Sequence, residues 1–312
     1  MNVRPFDWRD LTNLHRNRNN SVFLNSALVL TRGPMLMSSA LVSYLAPTTG
    51  VFTYVCRSNT RDGTSVIGQG LHYPGSQLAQ MTFLTPHSAL DSPGAQDLIE
   101  YLVFVIGKNG AFHLMADVEE SGAAYEMLRR ANFSVYTRQR VWKIPLPMEA
   151  KPAQKTWRGV SDVDTIAITS LYNDLVPQLV RQVEPNSARD QSGLLQYDGD
   201  TLAAYVELKI GHRGIWVHPF MHPGVENISK RFHDLILEIP NRFSRPVYMC
   251  VRSYQSWLEG TLEEIGAEAG PRQAVMVKHM ASPQKAEVGK ALPALEGSQP
   301  EITAPISQIK GK

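Results

Sequence analysis

The chain has 312 residues, with 31 Lys and Arg against 29 Asp and Glu, so its net charge is only +2. No basic stripe interleaved with aromatics accompanies that imbalance, which argues against a nucleic-acid partner. An apolar share of 43% suits a folded chain with a real core, and the length favours two domains at about 100–200 residues each.

The first eight residues lack the apolar stretch of a signal peptide. Residues 2–6 read as a short strand, and Asp7 or Asp10 is placed to cap a helix starting at Trp8 with Leu11 and Leu14 on one face. Residues 21–45 read as helical in parts, turning at Arg32-Gly33-Pro34. That break leaves neither side with the ~18 apolar residues needed to span a bilayer, so a soluble protein without a membrane partner is expected. Strands follow at 50–57, 65–73 and 77–84, parted by a turn through Gly63 and by Pro74-Gly75, the short spacing of an antiparallel meander. After Pro86 come a helix near 96–106, a strand at 112–118, a helix at 122–132 and a strand at 133–144.

Three prolines in residues 145–152 read as a linker. A second series then runs strand 156–160, helical region 163–183 and a hairpin of 194–197 with 201–210 turning at Gly199. It continues as strand 214–219, helix 228–239, strand 246–253, helix 257–267 and strand 273–279. The expected division is a domain at 1–147, a linker at 148–154, a domain at 155–281 and a tail at 282–312 that is too poor in apolar residues to fold. Cys56 and Cys250 lie in apolar runs and read as small buried hydrophobes, and so low a count suits a cytoplasmic location.

The two series share landmarks at an offset of 133 or 134: Pro86 and Pro219, Leu128 and Leu262, Arg138-Gln139 and Arg272-Gln273. A repeat of this length is a duplicated domain rather than a solenoid unit. Recurrence of the Arg-Gln pairs predicts a shared structural task, such as charge on an edge strand.

Strand, helices, three antiparallel strands, helix, strand, helix, strand is the element order of GNAT-type N-acetyltransferases, and the chain resembles two such domains in tandem. The resemblance implies an α/β fold in which each domain is a mixed, mostly antiparallel sheet flanked by helices. It also implies acetyl-CoA as co-substrate, no metal, and a small-molecule or protein amine as acceptor. The family's fourth strand ends in V-x-P before a glycine-rich turn at a helix N-terminus, where backbone N–H groups hold the diphosphate. By resemblance the donor site takes Leu84, Pro86, Ser92 and Gly94 in the first copy and Val217, Pro219, Gly224 and Asn227 in the second. Of the glycines, only Gly94 holds its place in the first copy, and Pro223 removes a needed N–H in the second.

The family's thiolate-protonating tyrosine is replaced by Leu128 and Leu262, and its Gly-Phe pair by Asn132-Phe133 and Gly266-Ala267. For a general base on a central strand, the candidates are Glu207 and His72. Their competing reading is a solvent-facing strand residue and a polar hairpin end. His218 and His222 do not form a helical ligand pair, because Pro219 and Pro223 intervene. Two functions are compatible with these residues: transfer of an acetyl or other acyl group from acetyl-CoA to an amine, or a catalytically inactive tandem scaffold for ligands or partners.

Overall fold

The computed structural model describes residues 3–57, 65–145, 155–185 and 192–280. The linker expected at 148–154, the tail at 282–312 and the turn at Gly63 lie outside the described residues. The N-terminal half contains β1 (Val3–Pro5), α1 (Leu11–Arg16), β2 (Val22–Phe23), α2 (Ser26–Arg32), α3 (Leu36–Leu45), β3 (Val51–Arg57), β4 (Ser65–His72) and β5 (Leu78–Thr85). It ends with α4 (Pro93–Lys108), β6 (His113–Glu119), α5 (Ala123–Arg130) and β7 (Ser134–Ile144). The C-terminal half contains β8 (Arg158–Gly159), α6 (Thr165–Leu175), α7 (Gln178–Val183), β9 (Gly193–Asp198), β10 (Thr201–Ile210) and β11 (Ile215–Met221). Its last elements are α8 (Ile228–Glu238), β12 (Val247–Arg252), α9 (Leu258–Glu264) and β13 (Glu268–His279).

Local chemistry sets several of these boundaries. The Ser92 hydroxyl accepts from the Ala95 N–H, and Pro93 occupies the first turn of α4, whose Leu98, Ile99, Leu102 and Ile106 are buried. Asn25 caps α2 through the Leu28 N–H, and Gly33 ends that helix at a φ of 82°. Pro177 divides the expected 163–183 helix into α6 and α7. The duplication is clearest where each half begins. Arg4 holds both carboxylate oxygens of Asp10 at 2.7 and 2.6 Å, and Arg158 holds those of Asp164 at 2.8 and 2.6 Å. Each aspartate also accepts from a backbone N–H three residues earlier, at Asp7 and at Ser161.

The strands of both halves share one sheet, ordered β1-β3-β4-β5-β6-β13-β7-β12-β11-β10-β9-β8, with β2 added on β5. Most pairings are antiparallel, and β5–β6 and β11–β12 are parallel. The two halves exchange their last strands. β13 pairs with β6 of the N-terminal half, and β7 pairs with β12 of the C-terminal half. Gln139 and Gln273 therefore stand opposite each other at the centre, joined by a 2.8 Å side-chain bond. The edge-strand expectation for the Arg-Gln pairs is corrected: β7 and β13 are the innermost strands, and the pairs recur because they flank a local two-fold relation.

Side-chain alternation gives the sheet two covered faces. On one face α4 and α5 pack over Met81, Leu114 and Met276, and α8 and α9 over Trp142, Val217 and Met249. On the other, α6 and α7 pack over Tyr205, Phe220 and Val275, and α1 and α3 over Val55, Ile67 and Phe83. Cys56 and Cys250 are buried free thiols, and burial pushes Cys250 up to about 12. Among the described residues no single helix is long and apolar enough to cross a membrane.

Candidate active site

In each half two parallel strands run together and then part. β5 and β6 are paired from Leu78/His113 to Gln80/Met115, and β11 and β12 from Ile215/Val247 to Val217/Met249. Because Leu78 and Ile215 open the two pairings, Pro219 falls at the position of Thr82, and Pro223 at that of Pro86. The match of Pro86 with Pro219 read from the sequence offset is thus a register error. The strands before them differ in how far they run past the point of separation.

The N-terminal gap is filled by the chain itself. β2 pairs with β5 at Leu84 and Phe83, and a bulge beside Gly70 leaves the Thr82 carbonyl facing the gap. Leu24, buried, donates its N–H to that carbonyl at 2.9 Å and accepts from the Asp117 N–H at 2.9 Å, so it bridges the parted strands. The Ser26 N–H then donates to the Asp117 carboxylate at 3.1 Å, and Asn25 bonds the Gln80 side chain. Burial raises the Asp117 carboxyl above its usual range despite the nearby Arg252 charge. Leu24 thereby takes the Thr82 carbonyl and the Asp117 N–H, the strand groups facing the gap.

Among the described residues, a side chain bridges the C-terminal gap. Buried Gln255 donates to the Pro219 carbonyl at 2.8 Å and accepts from the Met221 N–H at 3.0 Å. A carboxamide bonded in both directions marks the two strand groups that an amide of an extended ligand would use. Beside it, on the α6–α7 face, lies a polar cluster. Glu207 on β10 sits opposite His218 on β11, with 3.7 Å between its carboxylate and His218 Nδ1, and takes a 3.1 Å ion pair from Lys209. Burial alone would raise the Glu207 carboxyl, but Lys209 and His218 outweigh it and bring it down to about 2. Burial lowers the His218 imidazole, which is only partly offset by Glu207, so the ring is neutral at pH 7.

Arg252, on the same face of the neighbouring strand, pairs with Glu184 at 3.0 Å, and Glu184 also accepts from the Tyr136 hydroxyl. Two buried atoms of this cluster, His218 Nε2 and Arg252 Nη1, have no hydrogen-bond partner among the described residues. A buried polar atom left unsatisfied costs about 1–3 kcal/mol, and such atoms call for a ligand or water.

The other residues named from the sequence are dispersed. Val217 is the last paired residue before β11 and β12 part. The Gly224 N–H donates to His222 Nδ1 at 3.1 Å, and Asn227 precedes α8 in the left-handed region. The His222 and Val225 N–H groups are likewise bonded, to the Ala203 and His222 carbonyls. Leu84 is core, Pro86 starts the loop after β5, and a Cβ on Gly94 would meet Cys56 Sγ at 3.4 Å, an ordinary contact that does not require glycine there. His72 Nε2 binds the Ser76 carbonyl at 2.7 Å, at the closed end of the β4–β5 hairpin and away from either gap. Leu128 and Leu262 are fully buried in apolar cores. Sequence reasoning missed Gln255, Arg252 and Leu24, which carry no motif. Among the described residues no group of three or more His, Cys, Asp or Glu is placed to hold a metal ion.

No protein-family model and no curated protein matches the chain. Among solved structures it is similar to a GCN5-related N-acetyltransferase from Sphaerobacter thermophilus, at 12% identity over 89% of this chain and 95% of that one, with a TM-score of 0.50. An acetyltransferase candidate from Pyrococcus horikoshii aligns at 11% identity over 90% and 89% of the two chains, with a TM-score of 0.51. The chain has the GCN5-related N-acetyltransferase fold. A tandem GNAT protein from the clavulanic acid biosynthesis pathway also aligns, at 16% identity over 89% of this chain and 98% of that one, with a TM-score of 0.48. At the C-terminal gap the Pro219 carbonyl and the Met221 N–H are held by a side chain, whereas at the N-terminal gap the Thr82 carbonyl and the Asp117 N–H are held by the Leu24 backbone.

Proposed function

We propose that the protein is an acyl-CoA-dependent N-acyltransferase with one active site, in the C-terminal half. The carrying observation is a pair of buried atoms, His218 Nε2 and Arg252 Nη1, that have no hydrogen-bond partner among the described residues and lie beside the gap bridged by the Gln255 side chain. Neutral His218 takes the proton of the acceptor ammonium through Nε2, and the Glu207 carboxylate stabilises the imidazolium so formed. Acetyl-CoA supplies the thioester, whose carbonyl carbon gains the amine nitrogen as its C–S bond breaks. The nitrogen gives its second proton to solvent, and because Leu262 offers none, the departing thiolate takes its proton from solvent as well. Domains at 1–147 and 155–281, the linker at 148–154, the tail at 282–312 and a cytoplasmic location belong to the same reading.

The second reading, a tandem scaffold without catalysis, is favoured by the spent N–H groups of His222, Gly224 and Val225, which leave no glycine-rich cradle for a diphosphate. Calorimetric titration of the full chain with acetyl-CoA, followed by thiol release across a panel of amines, separates the two. Acyl transfer predicts binding, turnover, and a kcat about 10²–10⁴-fold lower in His218→Gln with acetyl-CoA affinity retained. Folded protein that neither binds acetyl-CoA nor releases thiol is the scaffold.

A further inference from the structure

The last strand of the C-terminal half meets the N-terminal half at a histidine pair. β13 runs antiparallel to β6, and the register sets His279 directly opposite His113, 166 residues away in sequence. Both lie on the α6–α7 face of the sheet, each two residues from a buried member of that core, Met115 on β6 and Val277 on β13. The backbone is fixed on either side. The His113 N–H donates to the Gln77 carbonyl at 3.1 Å, and the Met280 N–H to the Phe112 carbonyl at 2.8 Å. His113 is half-buried and His279 exposed. Their ring planes stand at 89°, with Nδ1 of one 3.0 Å from Nδ1 of the other.

That distance is the one at which two imidazoles share an ion. Nitrogens bound at about 2.0–2.1 Å lie about 2.9 Å apart when the angle at the ion is a right angle, and about 3.3 Å apart at the tetrahedral angle. The 3.0 Å found here is nearer the right angle, which belongs to the tetragonal ions Cu2+ and Ni2+ rather than to tetrahedral Zn2+. The Gln182 main chain, in the last turn of α7, also hydrogen-bonds the His113 ring. A histidine ligand characteristically gives its second N–H to a carbonyl of this kind, which fixes its tautomer and orientation. Burial and the neighbouring His279 hold the His113 imidazole below its ordinary value, so at pH 7 it is in the neutral form that binds metals.

We infer that His113 and His279 form a site for a divalent first-row transition ion, Cu2+ or Ni2+, held by both Nδ1 atoms in adjacent positions. The ring that carries its hydrogen on Nδ1 moves it to Nε2, so two neutral rings bind the ion and no proton is released. Exposure of His279 leaves the ion's other positions to water or further oxygen donors. One ligand comes from each half, so the ion ties the exchanged strand β13 to β6. The site is independent of the acyl-transfer reading, which uses neither histidine.

The test titrates the full chain with Cu2+ against glycine as a weak competing chelator, in wild type, His113→Gln and His279→Gln. The affinity of the tightest equivalent is expected to fall at least about tenfold in either variant. The double variant is expected to fall little further, because losing one nitrogen already removes the chelate. Pulsed electron paramagnetic resonance of the wild type with one equivalent of Cu2+ counts the bound imidazoles without any variant, and two are expected. Ni2+ is expected to raise the midpoint of thermal unfolding in the wild type and to leave it unchanged in the variants, since the ion binds the paired strands and not the unfolded chain. Equal affinity in the wild type and both variants overturns the inference, as does a wild-type complex with a single imidazole.

Discussion

At the scale of single residues, the proposed chemistry depends on how burial and charge divide a pair of titratable groups. Glu207 is kept ionised by Lys209 and His218 although burial opposes it, while His218 is kept neutral by burial. The neutral form of His218 therefore persists below pH 6.5, and the acid limb of the kcat/KM profile is expected below the ordinary histidine value. Glu207→Gln removes the interaction that raises His218 and shifts the limb further toward acid; a shift toward alkali would contradict the assignment. The same depression sets a stability term. Above about pH 6.5 neither state holds the proton; below it the unfolded chain takes one that the fold refuses, so stability falls with pH toward the folded value. Glu207 was legible in the sequence as a polar residue on a central strand. Its partner was not, because cross-strand register rather than spacing brings His218 opposite it.

At the scale of elements, the decisive feature is a two-residue strand and the leucine after it. β2 and Leu24 pair with the parted edges of β5 and β6, in the space that the fold otherwise leaves for a donor arm. The chain is thus expected to bind one acetyl-CoA, and calorimetric stoichiometry reads this directly. Leu24→Ala is expected to cost about 2–5 kcal/mol in chemical denaturation, because it opens a cavity in a buried site. It leaves the stoichiometry at one, since the backbone bonds to Thr82 and Asp117 do not depend on the side chain. A stoichiometry of two would remove the assignment of a filled first cleft. Periodicity gave no warning of β2, because two residues are too few to show alternation.

At the scale of the whole molecule, the exchange of β7 and β13 makes the halves interdependent. A fragment of residues 1–150 keeps β7 but lacks the strand that should lie between β6 and β7, and a fragment of residues 151–282 lacks the strand between β12 and β13. Each fragment alone exposes long unpaired strand edges, which favour association. Separately produced fragments are expected to be aggregated or loosely folded, and co-expressed fragments to copurify as a 1:1 complex with native circular dichroism. Two monomeric, cooperatively unfolding fragments would contradict the exchange.

The sequence places Leu128 and Leu262 where the resemblance would put a tyrosine, and by itself it determined the order and type of most elements. These are set by local propensity, capping, proline placement and apolar periodicity, all of which act within a few residues along the chain. The recurring Arg4/Asp10 and Arg158/Asp164 pairs were equally local and were available to be read. Only the tertiary structure decided which segment bridges each pair of parted strands, where the Arg-Gln pairs sit, and which side chains face His218. Each of those depends on pairing between segments far apart in sequence, where the same alternating pattern is compatible with more than one neighbour.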